Sequence, residues 1–224
     1  MTNTKKRMWP LAAAVSGSAL LLGSTFALWT ANDVQDGGSV TNGNLDVVAA
    51  GAVSAYDVSS PRHDATVDVN AVTGSDGHTI ADLEGAWNMV PGDVVEINMP
   101  FDVAMQGDNL VADISGTLGT LSLPTGVSVD YEVFVDDGVG GWTSAGSGAA
   151  GSGAEVVIGR FAADSQANGS SAVSGQTVIE KTATDGTPNV QLVLTVTFDS
   201  AATGSMSLTS IFGDAALTAT QVRV

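Results

Sequence analysis

Two histidines, His63 and His78, are the side chains of this chain best suited to general acid–base or metal chemistry. Each lies in a polar stretch, Pro-Arg-His-Asp or Asp-Gly-His-Thr, and neither belongs to the H-E-x-x-H motif of zinc proteases. The G-x-S-x-G motif of a hydrolase nucleophile elbow is also missing. We therefore interpret both histidines as solvated loop residues and expect no catalytic residue.

Carboxylates are plentiful, because the chain contains 24 Asp and Glu residues. Paired carboxylates could serve a glycosidase, but such sites are usually lined with aromatic side chains, and only 5% of the residues here are aromatic. Calcium needs six to eight oxygen ligands, and no segment matches the twelve-residue EF-hand loop. Asp side chains in turns commonly bond the local backbone instead, so we expect no metal and no cofactor. Asp-rich turns occur at Asn32-Asp33, Asp36-Gly37, Asp76-Gly77 and Asp136-Asp137-Gly138.

The N-terminal residues have the pattern of a secretory signal peptide. A basic start, Lys5-Lys6-Arg7, precedes an apolar run over Leu11–Leu22 and a small-residue exit. The run is shorter than the ~20 residues of a stable membrane anchor, although an uncleaved anchor is the alternative interpretation. We expect residues 1–27 to be removed by signal peptidase between Ala27 and Leu28, and the membrane to be contacted only during export.

The remaining chain is strongly acidic. Three of the seven Lys and Arg residues belong to the leader, which leaves four against 24 Asp and Glu and a formal charge of −20. This charge excludes nucleic acid as a probable class of partner, because phosphate binding needs basic patches. Cysteine is absent, so disulfides and thiolate zinc sites are excluded. About 200 residues can stabilise one domain by their core alone.

Alternation of apolar and polar residues predicts β-strands over Val94–Met105, Val127–Val135 and Val190–Asp199. Pro100 cannot donate to a sheet, so the first of these strands is expected to lie at an edge, or to be bulged or broken there. Around ten strands predict an all-β, jelly-roll-like two-sheet sandwich, with a barrel as the alternative. Weaker strands are predicted at Leu45–Ala49, Thr66–Val72, Thr79–Leu83, Asn109–Ser115, Glu155–Phe161, Ala172–Glu180, Ser205–Phe212 and Leu217–Val224.

The segment Asp136–Gly153 is rich in Gly and Ser, which predicts a flexible link between two strands. Trp142 lies within it. This side chain is either a hairpin residue packed on the sheet or an exposed aromatic that binds a partner.

Three segments resemble the TasA/camelysin family of exported matrix proteins. The leader exit runs directly into Phe26-Ala27-Leu28-Trp29-Thr30, and Gly43-Asn44-Leu45-Asp46-Val47 is similar to the Gly-x-Leu-x-Leu first strand of that family. Met89-Val90-Pro91-Gly92-Asp93-Val94 is similar to its Pro-Gly-Asp turn before a long strand. The ending Ala216–Gln221 resembles that of a related group of alternate signal-mediated exported proteins.

The resemblance implies a jelly-roll subunit that is exported from a Gram-positive cell into the extracellular matrix. In fibre-forming members, the mature N-terminus of one subunit supplies a strand to the next. The segment matching that donor here is Leu28–Val40, within an N-terminal extension at 28–44 that precedes a sandwich domain at 45–224. The candidate donor residues are Leu28, Trp29, Thr30 and Val34. Nothing in the sequence supplies the ligands of the metallopeptidase activity ascribed to some members.

Together these features predict a secreted, non-enzymatic structural subunit of the biofilm matrix or cell surface that self-associates into a homopolymer. Two other functions remain open: a monomeric secreted binding module, with the Gly-rich segment and Trp142 as its contact, and an exported hydrolase.

Overall fold

A computed structural model describes residues 43–59, 67–81, 87–107, 110–117, 123–150, 156–164, 176–207 and 216–222. The regular elements of this part of the chain are all strands, as the abundance of Val and Thr favours. None of these residues belongs to a helix with the length and hydropathy needed to cross a membrane. The strands are β1 (Asn44–Ala49), β2 (Ser54–Asp57), β3 (Asp68–Val69), β4 (Asp76–Thr79), β5 (Asn88–Met89), β6 (Val94–Gln106), β7 (Val111–Thr117), β8 (Val127–Asp136), β9 (Trp142–Ala149), β10 (Val156–Ala163), β11 (Thr177–Ile179), β12 (Val190–Phe198), β13 (Met206–Ser207) and β14 (Ala216–Val222).

The strands form two sheets that pack face to face, which confirms the predicted all-β sandwich. The larger sheet has the order β3-β4-β2-β6-β12-β8-β9, and β1 also pairs with β6. The smaller sheet has the order β11-β10-β7-β14, and β13 pairs with β5 in a two-stranded ribbon. Neighbouring strands are antiparallel apart from the parallel pair β10 and β11.

The core lies between the two sheets and is built from alternate residues of the long strands. In β6, Val95, Ile97 and Val103 point inward and are almost completely buried. Burial of each such side chain stabilises the fold by roughly 1.5–3 kcal/mol relative to exposure. The alternation predicted for the three long strands is confirmed. The other strands contribute Val129, Val133, Leu192, Leu194, Val196, Phe198, Ala112, Ile114, Phe161 and Ile179.

Pro100 lies in a central strand, so the prediction of an edge, a bulge or a break was wrong. The strand β6 pairs with β12 without a register shift from Val94 to Phe101. On the other side of β6, however, the pairing with β2 stops at Asn98 and the pairing with β1 stops at Phe101. The Pro100 carbonyl accepts a hydrogen bond from Ala50 N at 3.0 Å on this second side. Because a strand residue directs its N and O to one side, the missing N–H of Pro100 falls in the gap between β1 and β2, where the ladder needs no donor.

The Gly/Ser segment is more ordered than the sequence predicts, because Trp142–Ala149 form the strand β9, which pairs with β8 as a hairpin. Its glycines allow this pairing. A Cβ on Gly148 would lie 2.8 Å from the hydroxyl of Tyr131, the residue directly opposite. An aromatic ring lying over a glycine across a strand pair stabilises a segment whose own propensity for strand is poor.

Each of the weaker predicted strands overlaps an observed strand, but two of them, in the polar region near β2, differ most from the prediction. The strand predicted at Thr79–Leu83 is instead β4, Asp76–Thr79. The one predicted at Thr66–Val72 shrinks to the two residues of β3, because a turn occupies Ala71–Thr73. The strand β2, with the sequence Ser-Ala-Tyr-Asp, lacks a long alternating pattern and was not predicted.

Candidate assembly surface

The sheet edges are the surface through which a β-sandwich can bind another chain, because an edge strand presents unpaired main-chain groups. In the described part of the chain, β3 and β9 end the larger sheet, and β11 and β14 end the smaller one. The strands β3 and β11 have two and three residues, whereas β9 and β14 have eight and seven. Of these two long edges, β14 packs against β1. The larger sheet therefore offers β9 as its long edge.

The solvent-facing face of β9 carries small, exposed side chains. Ser144, Ser147 and Ala149 are exposed, and Trp142 is half-buried opposite Asp136. This position agrees with the interpretation of Trp142 as a hairpin residue packed on the sheet. A bulge lies opposite Val133 and Phe134, where the register shifts by one residue.

The predicted donor segment begins upstream of β1, and the contacts of β1 determine where it leaves the sandwich. Gly43 lies so close to β6 that a Cβ on it would be 2.7 Å from the Gln106 carbonyl oxygen. Asn44 Nδ2 donates a hydrogen bond to Thr182 O at 3.0 Å. The chain is therefore held at the end of β6 before it continues toward the N-terminus. Ala27, Leu28, Trp29, Thr30 and Val34 lie outside the described residues.

The segment Lys181–Thr187, which we call the strap, lies across β1 and β6 and is held by one buried carboxylate. Asp102 is fully buried on the outer face of β6 and lies 2.7 Å from Lys181 Nζ through its Oδ1. Its Oδ2 accepts hydrogen bonds from the backbone N–H groups of Asp185 and Gly186, both at 2.7 Å. Thr184 donates to Asp46 of β1, so the strap also holds the strand from which the N-terminal extension departs.

The hydrogen bonds of the strap shift the pKa values of two of its side chains, Lys181 and Asp185. Burial works to lower the pKa of Lys181, but the hydrogen bonds that Lys181 donates to Asp102 and Asp185 outweigh it, so the pKa lies above its ordinary value. The hydrogen bond from Lys181, aided by the Thr187 N–H, lowers the pKa of Asp185 to about 2. Lys181 and Asp185 are therefore charged across the physiological pH range. Sequence reasoning missed this cluster, although one signal was present: Lys181 is the single lysine that follows the leader.

A second polar cluster on the outer face of the larger sheet is satisfied by neutral partners. The Glu96 carboxylate accepts hydrogen bonds from Asn70 Nδ2 at 2.7 Å, Thr73 Oγ1 at 2.7 Å and Ser75 Oγ at 2.8 Å. Asn98 and Asn70 bond each other through their amides. These contacts fold the loop 70–75 onto β6, so the carboxylate has a structural role in this arrangement.

His78 and Asp137, two described residues that the sequence singled out for chemistry, lie in different elements of the fold. His78 is in β4 opposite Asp57, and His63 is outside the described residues. Asp137 accepts hydrogen bonds from the backbone N–H groups of Gly141 and Val139, which lower its pKa, so it forms a turn of the kind that the sequence predicts. Within the described ranges, no three His, Asp or Glu side chains are grouped as metal ligands would be.

A shallow groove of about 630 Å³ lies at the end of the sandwich where β6 and β8 begin. Its walls are main-chain turns together with Val127, Thr197 and Phe198. Asp199 is the one ionisable side chain in this lining, and its Oδ1 accepts a hydrogen bond from Ala201 N at 2.8 Å. The groove therefore lacks a converging set of polar groups that could orient a substrate.

No protein-family model matches this chain, and no curated protein and no solved structure gives a match either. The resemblance to the TasA/camelysin family, drawn from the residues, stays a prediction.

Proposed function

We propose that this protein is a secreted structural subunit of the extracellular matrix or cell surface, which joins copies of itself into a polymer. Residues 28–42 of one subunit add as an extended strand to a sheet edge of the next subunit, and a jelly-roll arrangement of the strands provides that edge. The observation that carries the proposal is the position of an apolar segment, with Leu28, Trp29 and Val34, directly before a first strand that is fixed at one end of the sandwich.

Length and surface chemistry support this assembly. The fifteen residues from Leu28 to Asn42 can span about 50 Å when extended, which is enough to reach a neighbouring subunit. Leu28 and Trp29 are unfavourable in water at roughly 25 cal/mol per Å² of apolar area, so binding to a neighbour would stabilise them. An added strand forms main-chain hydrogen bonds with the edge, and its alternate side chains occupy adjacent pockets.

The roles of the described carboxylates also support a structural function. Asp102 anchors the strap, Glu96 holds the loop 70–75, and Asp113 forms a bidentate pair with Arg160, with Nη2 and Oδ2 2.7 Å apart. Each of these groups holds strands or loops together.

Electron microscopy of the purified secreted protein over a range of concentrations tests the proposal. We expect filaments whose number rises with concentration. A synthetic peptide with the sequence of residues 28–40, added in molar excess, should shorten them by occupying the acceptor edge. A scrambled peptide of the same composition is the control. Discrete particles at every concentration would contradict the proposal.

A second function, a monomeric binding module, is favoured by one observation: half-buried Trp142 lies at the start of an accessible edge strand. In that case the protein would stay monomeric, and Trp142→Ala would abolish binding to the host cell surface or matrix without changing the thermal stability by more than a few degrees.

A further inference from the structure

The main-chain groups on one side of β9 point away from the sheet. Asp136 N bonds Asn189 O toward β12, and Ala150 N bonds Val129 O toward β8. Since N–H directions alternate along a strand, Val129, Tyr131 and Val133 face β9, and their partners direct N–H groups back to β8. Ser147 and Ala149 lie between those partners and consequently direct their N–H and C=O groups outward. Ser144, beyond the bulge, lies opposite Phe134, which faces β12 as Asp136 does, so Ser144 is also directed outward.

Apart from the bulge opposite Val133 and Phe134, this edge lacks the usual protections against pairing in its own sequence. Natural edge strands are kept short, or carry charged residues or proline. The strand β9 has eight residues, and no charged residue or proline occurs anywhere from position 138 to position 154, although the chain has 24 Asp and Glu. Among the described strands, two long edge strands, β9 and β14, therefore carry no charge, and β14 packs against the edge strand β1.

We propose that β9 pairs with β9 of a second copy of this chain, antiparallel and across a two-fold axis, so that two larger sheets become one continuous sheet. A two-fold axis places identical strands antiparallel, and each outward N–H then meets an outward C=O of the same strand in the partner. The small Ser and Ala side chains and the glycines leave room for the two backbones to approach each other.

The distribution of charge favours the β9 edge as the place where two copies of this acidic chain meet. Two molecules of formal charge −20 repel each other, and this repulsion is weakest where the contacting strands carry no charge. Asp130 and Glu132 of the adjacent strand β8 lie on the same face as Ser147 and Ala149 and keep part of the repulsion. The contact should therefore strengthen as salt shortens the Debye length from ~10 Å at 0.1 M to ~3 Å at 1 M.

The contact is weak in isolation, because one strand edge buries less than the roughly 1,200–2,000 Å² of a stable interface. It is separate from the head-to-tail contact of the proposed function and does not depend on it. Repeated along two neighbouring polymers, it would join them side by side.

Cysteine cross-linking of the secreted protein tests this pairing, since the natural chain has no cysteine. Ser144→Cys, Ser147→Cys and Ala149→Cys are oxidised mildly, alone and in equimolar pairs, at low and high salt. Directly opposed residues have Cβ atoms ~4.5–5.5 Å apart, so a fixed register brings at least one combination within disulfide reach. Val139→Cys is the matched control, because it is 89% exposed but lies in the hairpin turn.

We expect one combination to form dimers at least tenfold faster than Val139→Cys, and faster in high salt. Ser147→Pro, or Ala149→Pro where position 147 carries the cysteine, should abolish the gain when introduced into that variant, because it removes an outward N–H without removing a bond to β8. Cross-linking no faster than that of Val139→Cys would overturn the proposal. Cross-linking no faster than that of Val139→Cys is also the result expected if residues 28–40 of another chain, or an unrelated protein, occupy this edge.

Discussion

Asp102 and Lys181 show how single residues fix the part of the fold from which assembly would begin. The Asp102 carboxylate is fully buried and is compensated by one ammonium group and two backbone N–H groups. A buried carboxylate is tolerated only when it is paired and hydrogen-bonded, so removal of one partner is costly. The Asp102–Lys181 pair therefore contributes to the stability of the strap and of the β1 region next to it.

Lys181→Met should lower the free energy of unfolding by about 3 kcal/mol, because Asp102 is left without its counter-ion. Urea unfolding at pH 7 measures this loss. Arg160→Met is the control, since it breaks an ion pair in which the Arg160 side chain is 46% exposed and should cause a much smaller change. Equal losses in the two variants would show that burial of Asp102 does not matter.

The same cluster predicts a pH dependence. The pKa of Lys181 is raised in the folded state, so its stabilisation is complete below the unfolded pKa near 10.5 and is lost as the pH rises through the higher folded value. The pKa of Asp185 is lowered to about 2, so its smaller, solvent-screened stabilisation is present above pH ~4 and is lost as the pH falls toward 2. Unfolding titrations should show both limbs in the natural chain, whereas Lys181→Met should lose the alkaline limb of Lys181 and keep a weaker acid limb, because the Thr187 N–H still donates to Asp185. Curves of the same shape in both proteins would contradict this assignment.

At the scale of elements, turns align the long strands, and Gly126 is the most constrained residue among them. It has φ +86°, and a Cβ would lie 2.6 Å from the Ala202 Cβ. Its carbonyl accepts a hydrogen bond from Asp199 N at 2.8 Å, which joins the turn before β8 to the turn after β12.

Gly126→Ala should therefore lower the free energy of unfolding by about 2–3 kcal/mol, from the positive φ and the steric clash together. Gly138→Ala separates the two causes, since Gly138 has φ +74° but no atom within 4 Å of its added Cβ. That control should lose only about 1 kcal/mol. Chemical denaturation of both variants checks the difference, and equal losses would remove the clash as a cause.

Long elements could be predicted from the sequence, and short or glycine-rich ones could not. Strands β6, β8 and β12 have sustained alternation, and their inward faces were predicted residue by residue. The strand β9 was not, because its backbone is ordered by Tyr131 of a neighbouring strand rather than by its own side chains. Pro100 misled for a related reason: the gap between β1 and β2 depends on tertiary pairing.

The candidate assembly surface was also predictable from the sequence only in part. Residues 28–42 stand out in the sequence by their apolar side chains and their place before the first strand. The strap could not be predicted, because Asp102 and Lys181 are brought together by packing between residues 79 positions apart in the chain. The uncharged stretch around β9 was visible, but its position at a sheet edge was not.

At the scale of the whole molecule, charge opposes compaction, since the chain carries 24 Asp and Glu residues against seven Lys and Arg residues, a formal charge of −17. We expect the fold to persist without metal at neutral pH, and calcium to raise its Tm by a few degrees more than sodium at matched ionic strength. Such a shift corresponds to roughly 1 kcal/mol for a domain of this size. Identical melting midpoints in the two salts would contradict a specific effect of divalent cations.

The proposed export and cleavage predict the residue at which the mature protein begins. Small residues at −1 and −3, Ala27 and Thr25, suit a signal peptidase, so N-terminal sequencing of the secreted protein should start at Leu28 or within a few residues of it. A start beyond Asn44 would rule out both this cleavage and the donor segment.

The most direct test of polymerisation through the N-terminal segment is light scattering on two chains, one starting at Leu28 and one at Asn42. The longer chain should show a mass that rises with concentration, whereas the shorter should stay monomeric and melt at a lower temperature, because it lacks the main-chain bonds and pocket contacts of the donor. Trp29→Asp in the longer chain should reduce assembly less than the truncation does. Equal masses for the two chains at equal concentration would show that residues 28–41 do not couple the subunits.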